Sequence, residues 1–250
     1  MIPDAALQRA LALLATGQRK ILGIVGAPGA GKSTLAQALI ETLEKTVGPH
    51  QAMIVPMDGF HLAQAELARL NRAGRKGAPD TFDVSGYINL LSRLRATTPN
   101  DVTSMAAVPL TRTHIRADGD TESDAGTDAG TDAADIVYAP AFHRDIEEPI
   151  AGEIAIPATI PLIITEGNYL LLDDAPWRPV RGLLDESWYV DISAEQRHQQ
   201  LLARHMRYGR SHADALQWIA QTDEPNAVRV EKSAVHADYR LPWTLNTHYA

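Results

Sequence analysis

Apolar positions along this chain shift between helical and strand spacing, and the shifts outline a fold before any single residue is considered. Leu7, Leu11 and Leu14 recur at intervals of four and three, which predicts a short amphipathic helix over residues 5–14. Lys20-Ile-Leu-Gly-Ile-Val25 is apolar at almost every position, the pattern of a parallel strand covered on both faces. Leu35, Leu39 and Leu43 repeat every four residues with Ala36 and Ile40 alongside, so a second helix follows. A second strand is expected from Ala52 to Met57, ending on Asp58. Beyond Pro79 and Asp80, the residues Val84, Tyr87, Ile88, Leu91 and Leu94 return to helical spacing. Pro161 to Thr165 reads as a third buried strand ending on Glu166-Gly167, and Ser187 to Asp191 as a fourth, followed by a polar helix from about Ala194 to Arg207. Strands alternating with helices predict an α/β fold of three layers, with a mostly parallel central sheet and helices on both faces.

Two stretches stand apart from this core. Residues 117–135 are acidic and Gly-rich, with Thr-Asp-Ala-Gly at 127–130 begun again at Thr131, and they contain no large apolar side chain. Such a composition cannot offset the entropy of ordering, so a disordered insertion is expected there within a single domain of residues 1–250. Tyr208 to His212 is a basic turn containing Gly209 between two helical patterns, which suggests a mobile lid near residues 204–213.

Charge changes the picture little. The formal net charge is −8, but seven acids fall between Asp118 and Asp135, and −8 + 7 leaves −1 for the remainder. No basic tract points to nucleic acid, and no apolar run approaches the roughly 18 residues a membrane helix needs. The absence of cysteine excludes disulfides and thiolate metal sites. With no basic start and apolar core at the N-terminus, a cytoplasmic protein is expected. A homodimer is left open, since oligomeric state is not legible here.

The candidate chemistry begins after the first strand. Gly26, Ala27, Pro28, Gly29, Ala30, Gly31, Lys32 and Ser33, followed by Thr34, fit the spacing G-x-x-x-x-G-K-[ST] between a strand and an amphipathic helix. In that setting backbone N–H groups curl around phosphate oxygens and the helix points its positive end at the same anion. Lys32 would reach the β- and γ-phosphates of ATP, and Ser33 would hold Mg²⁺. Asp83-Val-Ser-Gly86 matches the short D-x-x-G pattern of a GTPase switch, but it opens a helix and no N-K-x-D segment accompanies it. Asp58 and Glu166 both sit at strand ends, where ligands collect in open α/β sheets. Phosphoryl transfer needs one carboxylate near the attacking hydroxyl and another in the metal shell, and this pair supplies both. Arg197, Arg204, Arg207 and Arg210 follow the fourth strand, and Arg204 and Arg207 are the preferred candidates to neutralise the transferring group. His198, His205 and His212 recur every seven residues, too wide a spacing for a two-histidine metal site.

Taken in order, these pieces resemble the P-loop kinases that include uridine kinase, phosphoribulokinase and bacterial pantothenate kinase. The matching segments are Gly26 to Thr34, Met57-Asp-Gly-Phe-His61, Arg75 to Asp83, Tyr138-Ala-Pro-Ala-Phe-His143-Arg144, Glu166-Gly-Asn-Tyr169 and Trp188-Tyr-Val-Asp191 with the arginines after it. The resemblance implies that Asp58 is the catalytic base, Glu166 an acid near Mg²⁺ and Arg204 a lid arginine. It implies that His61, Phe82, Asp83, Phe142 and Arg144 build the acceptor pocket. The family often carries Asp where this chain has His143. The activity implied is transfer of the γ-phosphoryl group of ATP to a hydroxyl of a small molecule, most nearly a nucleoside or a sugar, with pantothenate as the alternative. An ATP-binding regulatory protein without transfer activity is the reading from another class.

Overall fold

The computed structural model describes residues 2–97 and 136–243, so the acidic stretch at 117–135 lies outside the described residues. The strands are β1 (Lys20–Val25), β2 (Ala52–Pro56), β3 (Ile136–His143), β4 (Glu148–Pro157), β5 (Leu162–Gly167), β6 (Glu186–Asp191) and β7 (Tyr239–Pro242). The α-helices are α1 (Asp4–Leu14), α2 (Lys32–Val47), α3 (Gln64–Arg69), α4 (Val84–Ala96), α5 (Ala194–Arg207), α6 (His212–Trp218) and α7 (Glu224–Ser233). Five strands form one sheet in the order β2-β5-β1-β6-β7, and each neighbouring pair is parallel. The three-layer expectation holds because strand side chains alternate between two apolar cores. Ile21 and Val25 join Val55, Ile163, Tyr87 and Leu91 on one face, under α4 and α7. Leu22 and Ile24 join Leu35, Leu39, Leu43 and Trp188 on the other, under α1 and α2. No helix among the described residues is long and apolar enough to cross a membrane.

Two details differ from the sequence pattern, the end of β2 and the segment 136–157, and both bear on functional residues. β2 stops at Pro56, which cannot donate to the ladder, and Met57–Phe60 form a 3₁₀ turn, so Asp58 leaves the sheet on that turn. β5 ends on Gly167, as the sequence pattern has it, and Glu166 is a buried strand residue. Residues 136–157 carry no clear periodicity, because Pro140, Pro149 and a register irregularity between Ala139 and Ala141 interrupt it; they nevertheless form the antiparallel hairpin β3–β4.

The helices after β6 follow their sequence signals more closely. Ser193 caps α5 by accepting the Gln196 N–H (3.2 Å), and Ser211 caps α6 by accepting the Asp214 N–H (3.1 Å). Because α5 ends at Arg207, His212 belongs to a different helix from His198 and His205, which instead pair with Glu224 and Asp223 at 2.7 Å each. No cluster of His, Cys, Asp and Glu able to hold a metal occurs among the described residues.

Candidate active site

The loop from Gly26 to Gly31 leaves β1 and enters α2 at Lys32, closed by a bond from the Ala30 N–H to the Ala27 carbonyl (3.0 Å). Gly29 has φ 78°, and a Cβ there would lie 2.7 Å from Leu201 and 2.9 Å from the Arg197 carbonyl. Only glycine lets the loop lie this close to α5, the helix that carries the lid. The Lys32 ammonium donates to Asn168 Oδ1 (2.7 Å) and the Ala27 carbonyl (3.3 Å). Burial lowers its pKa, while Glu166 and Asp58 act the other way. One residue on, the Ser33 hydroxyl donates to Glu166 Oε1 (2.8 Å). Burial, followed by repulsion from Asp58, raises the Glu166 pKa against the attraction of Lys32. A hydroxyl and a buried carboxylate whose charge is costly are a fitting oxygen pair for a hard divalent cation.

Across the cleft, the turn carrying Asp58 is pressed against the hairpin. A Cβ on Gly59 would lie 2.2 Å from the Pro140 carbonyl, so the hairpin backbone occupies the space a side chain would need. That close seating brings Arg144 Nη2 to 2.8 Å from Asp58 Oδ2. Burial alone would raise the Asp58 pKa. The combined fields of His61, Arg144, Lys32 and Arg204 outweigh it, so the carboxyl titrates below its ordinary value and is ionised at neutral pH. His61 donates Nδ1–H to the Asp58 backbone carbonyl (2.8 Å), and burial holds its pKa down, against the pull of Asp58. Its ring lies 4.0 Å from Phe82 and 4.6 Å from Phe142, centre to centre. Lys76 sits over the Phe142 ring at 4.9 Å and pairs with Glu147 at 3.5 Å.

The lid side is built by the end of α5 and the turn after it. Arg204 faces the cleft, where burial and then the neighbouring Arg144 lower its pKa. It makes no ion pair among the described residues, whereas Arg144 does. The Arg210 guanidinium stacks on Trp218 at 4.0 Å and ties the turn to α6.

Most of the sequence-identified residues converge on this one cleft of 460 Å³: Pro28, Lys32, Ser33, Asp58, His61, Phe82, Phe142, Arg144, Glu166 and Arg204. Gly26, Ala27, Gly29, Ala30, Gly31 and Thr34 do not line it. Two further candidates do not line the cleft. Asp83 is exposed and spends its carboxylate as the N-cap of α4, accepting the Gly86 N–H at 2.8 Å. Arg207, the last residue of α5, is exposed and does not line the cleft. His143 also leaves the site: its ring pairs with Glu153 at 2.6 Å. Sequence reasoning did not single out Asn168, Lys76, Thr222, Asp223 or Asn226, all of which line the cleft. Asn168 could have been found from its place two residues after Glu166; the last three had only Pro225, interrupting a helical stretch, as their signal.

No family model matches the chain. It is 28% identical over 244 residues to a provisionally named uridine kinase of Schizosaccharomyces pombe, covering 95% of this chain and 89% of that protein. It is 31% identical over 192 residues to an ATP-dependent kinase-like protein of Aspergillus versicolor, covering 74% of this chain and 93% of that one. Among solved structures it is similar to a provisionally named fructose transport system kinase from a Silicibacter species, with a TM-score of 0.74 and 28% identity over 97% of this chain and 100% of that one.

Proposed function

Because the chain belongs to the P-loop kinase family related to uridine kinase, we propose that it transfers the γ-phosphoryl group of ATP to a hydroxyl of a sugar or nucleoside. The loop N–H groups and Lys32 hold the β- and γ-phosphates. Ser33 and Glu166 are the residues that would hold Mg²⁺, which when bound supplies positive charge to the phosphate oxygens. Asp58 takes the proton of the acceptor hydroxyl as that oxygen bonds to phosphorus and the bond to the departing ADP oxygen breaks. Arg204 meets the charge that develops on the transferring group, and closure of its turn excludes water. His61, Phe82 and Phe142 form the apolar side of the acceptor pocket.

One observation carries this reading: Lys32, the Ser33–Glu166 pair and the ionised Asp58 open into the same 460 Å³ cleft. The experiment is ADP release in Mg²⁺ and ATP against a panel of nucleosides, sugars and pantothenate. Release that depends on a sugar or nucleoside is the expected result. ATP binding without acceptor-dependent release would replace transfer by a regulatory role, and release driven by pantothenate would redirect the acceptor assignment.

A further inference from the structure

Besides its aromatic residues, the cleft has a polar wall that phosphoryl transfer itself does not use. It is built by a π-helical turn, Ile219–Asp223, between α6 and α7. The Glu224 N–H reaches back five residues to the Ile219 carbonyl, and Pro225 has no N–H with which to restore the tighter α-helical bond at the next position. The widened turn sets Thr222, Asp223 and Asn226 against the cleft, with Thr222 and Asp223 only 8% and 7% exposed. Asp223 Oδ2 accepts from His205 Nε2 at 2.7 Å, which fixes the carboxylate. Its other oxygen, the Thr222 hydroxyl and the Asn226 amide make no hydrogen bond among the described residues.

Two of the cations on the acceptor side are already paired within the protein. Arg144 pairs with Asp58 at 2.8 Å and Lys76 with Glu147 at 3.5 Å. Arg204 and Arg210 also line the cleft without an ion pair among the described residues, Arg204 being the group assigned to the transferring phosphoryl. What Thr222, Asp223 and Asn226 themselves offer an acceptor is two neutral hydrogen-bonding groups and the outer oxygen of a held carboxylate. Adjacent hydroxyls fit such a set, because each can donate to the Asp223 or Asn226 oxygen and accept from the Asn226 amide. A carboxylate or phosphate on the acceptor would instead be brought up beside Asp223, a like charge that costs affinity.

We propose that Thr222, Asp223 and Asn226 form a recognition subsite for two adjacent hydroxyls of a neutral polyol, and that this subsite sets the specificity of the transfer reaction. The proposal rests on the phosphotransferase reading above and narrows its acceptor to an uncharged sugar or the ribose of a nucleoside.

The test is calorimetry on the full chain with Mg²⁺ and a non-hydrolysable ATP analogue, titrated with D-fructose, D-ribose, 2-deoxy-D-ribose, uridine, 2′-deoxyuridine and pantothenate. At least one polyol should bind, and its deoxy counterpart should bind about tenfold or more weakly, because a buried polar partner is left unmatched. Asn226→Ala should weaken the polyol by a similar factor, leave the deoxy compound within about twofold, and leave the ATP analogue unchanged. Asp223→Asn, which keeps the shape of the wall, should weaken the same polyol. Preference for pantothenate, equal binding of polyol and deoxy compound, an unaffected Asn226→Ala, or no binding by any polyol would each overturn the subsite. Polyol binding without ADP release from ATP would sink phosphoryl transfer and leave the subsite standing, so the two failures are distinguishable.

Discussion

The two halves of the cleft are assembled in opposite ways. On the donor side, the residues that would meet ATP come from one contiguous loop, with Glu166 and Asn168 added from the end of the adjacent strand β5. On the acceptor side, the 3₁₀ turn at Asp58, the hairpin at Arg144, the stretch around Lys76 and the π-helical turn at Asp223 each contribute two or three residues. The donor half makes the same demand of every ATP-using protein, namely backbone donors, a cation and metal ligands in fixed spacing, so a short motif suffices. The acceptor half must match one particular molecule, and shape of that kind is drawn from segments that only the fold brings together. Variants on the donor side should therefore abolish turnover with any acceptor, whereas variants on the acceptor side should change which acceptor is used.

The sharpest attack on the donor half is Lys32→Ala. Lys32 is the only lysine placed at the mouth of the phosphate loop, and removing it should cut kcat by about 10³–10⁵. ATP affinity, read by calorimetry in Mg²⁺, should fall with it. Unchanged affinity would mean that the nucleotide binds elsewhere and that the donor half has been misassigned. Asp58→Asn comes next and separates chemistry from binding. It keeps the size of the side chain but cannot accept a proton, so kcat should fall by about 10²–10⁴ while ATP binding stays within a few-fold. Repeating the assay across Mg²⁺ concentrations distinguishes a lost base from a disturbed metal, since a metal defect is partly rescued.

Smaller effects are expected on the lid and on the partner of the base. Arg204→Ala should lower kcat by about 10²-fold with little change in ATP affinity, because its charge is used only as the transferring group develops its own. Arg207→Ala is its control and should be silent, since the side chain lies outside the cleft. Equal losses at the two positions would mean that the lid acts as a charged patch without a placed arginine. Arg144→Gln probes the ion pair with Asp58. Arg144 favours the ionised carboxylate, so its removal raises the Asp58 pKa, and the acid limb of the kcat/KM profile should move to higher pH. A limb that stays in place would show that Arg144 does not tune the base.

Much of the fold is legible in the sequence, for physical reasons that can be named. β1, β6 and α5 agree with their patterns to within a residue, because buried parallel strands read as apolar runs and a capped helix announces its start. The hairpin at 136–157 is illegible because only part of it is buried and prolines break its alternation. β7 has four residues, too few for a period to show. Lys32, Ser33, Asp58 and Glu166 are legible because their chemistry fixes their place relative to strand ends. Thr222, Asp223 and Asn226 are not, because their exposure to the cleft depends on a single irregular turn whose only trace is Pro225.

Asp83 gives the smallest expected effect and tests the comparison from its weak side. Resemblance to the kinase family places it in the acceptor pocket, while its geometry makes it the N-cap of α4, with its carboxylate on the Gly86 N–H. These assignments predict opposite outcomes. If Asp83 touches the acceptor, Asp83→Ala should raise the acceptor KM and leave stability nearly unchanged. If it is a cap, the same variant should lose about 1 kcal/mol of stability, the usual worth of such a bond. For a chain of this size that corresponds to a fall in Tm of about 2–4 °C. We expect the second result, with kcat and KM for the acceptor within about twofold of wild type, because the side chain is exposed and stands outside the cleft. Asp83→Asn sharpens the test. An asparagine oxygen still caps a helix, so stability should return with it. An acceptor contact that needed the carboxylate charge would stay broken. A variant that melts like wild type yet has lost its acceptor would return Asp83 to the site and show that the acceptor half is wider than the present cleft.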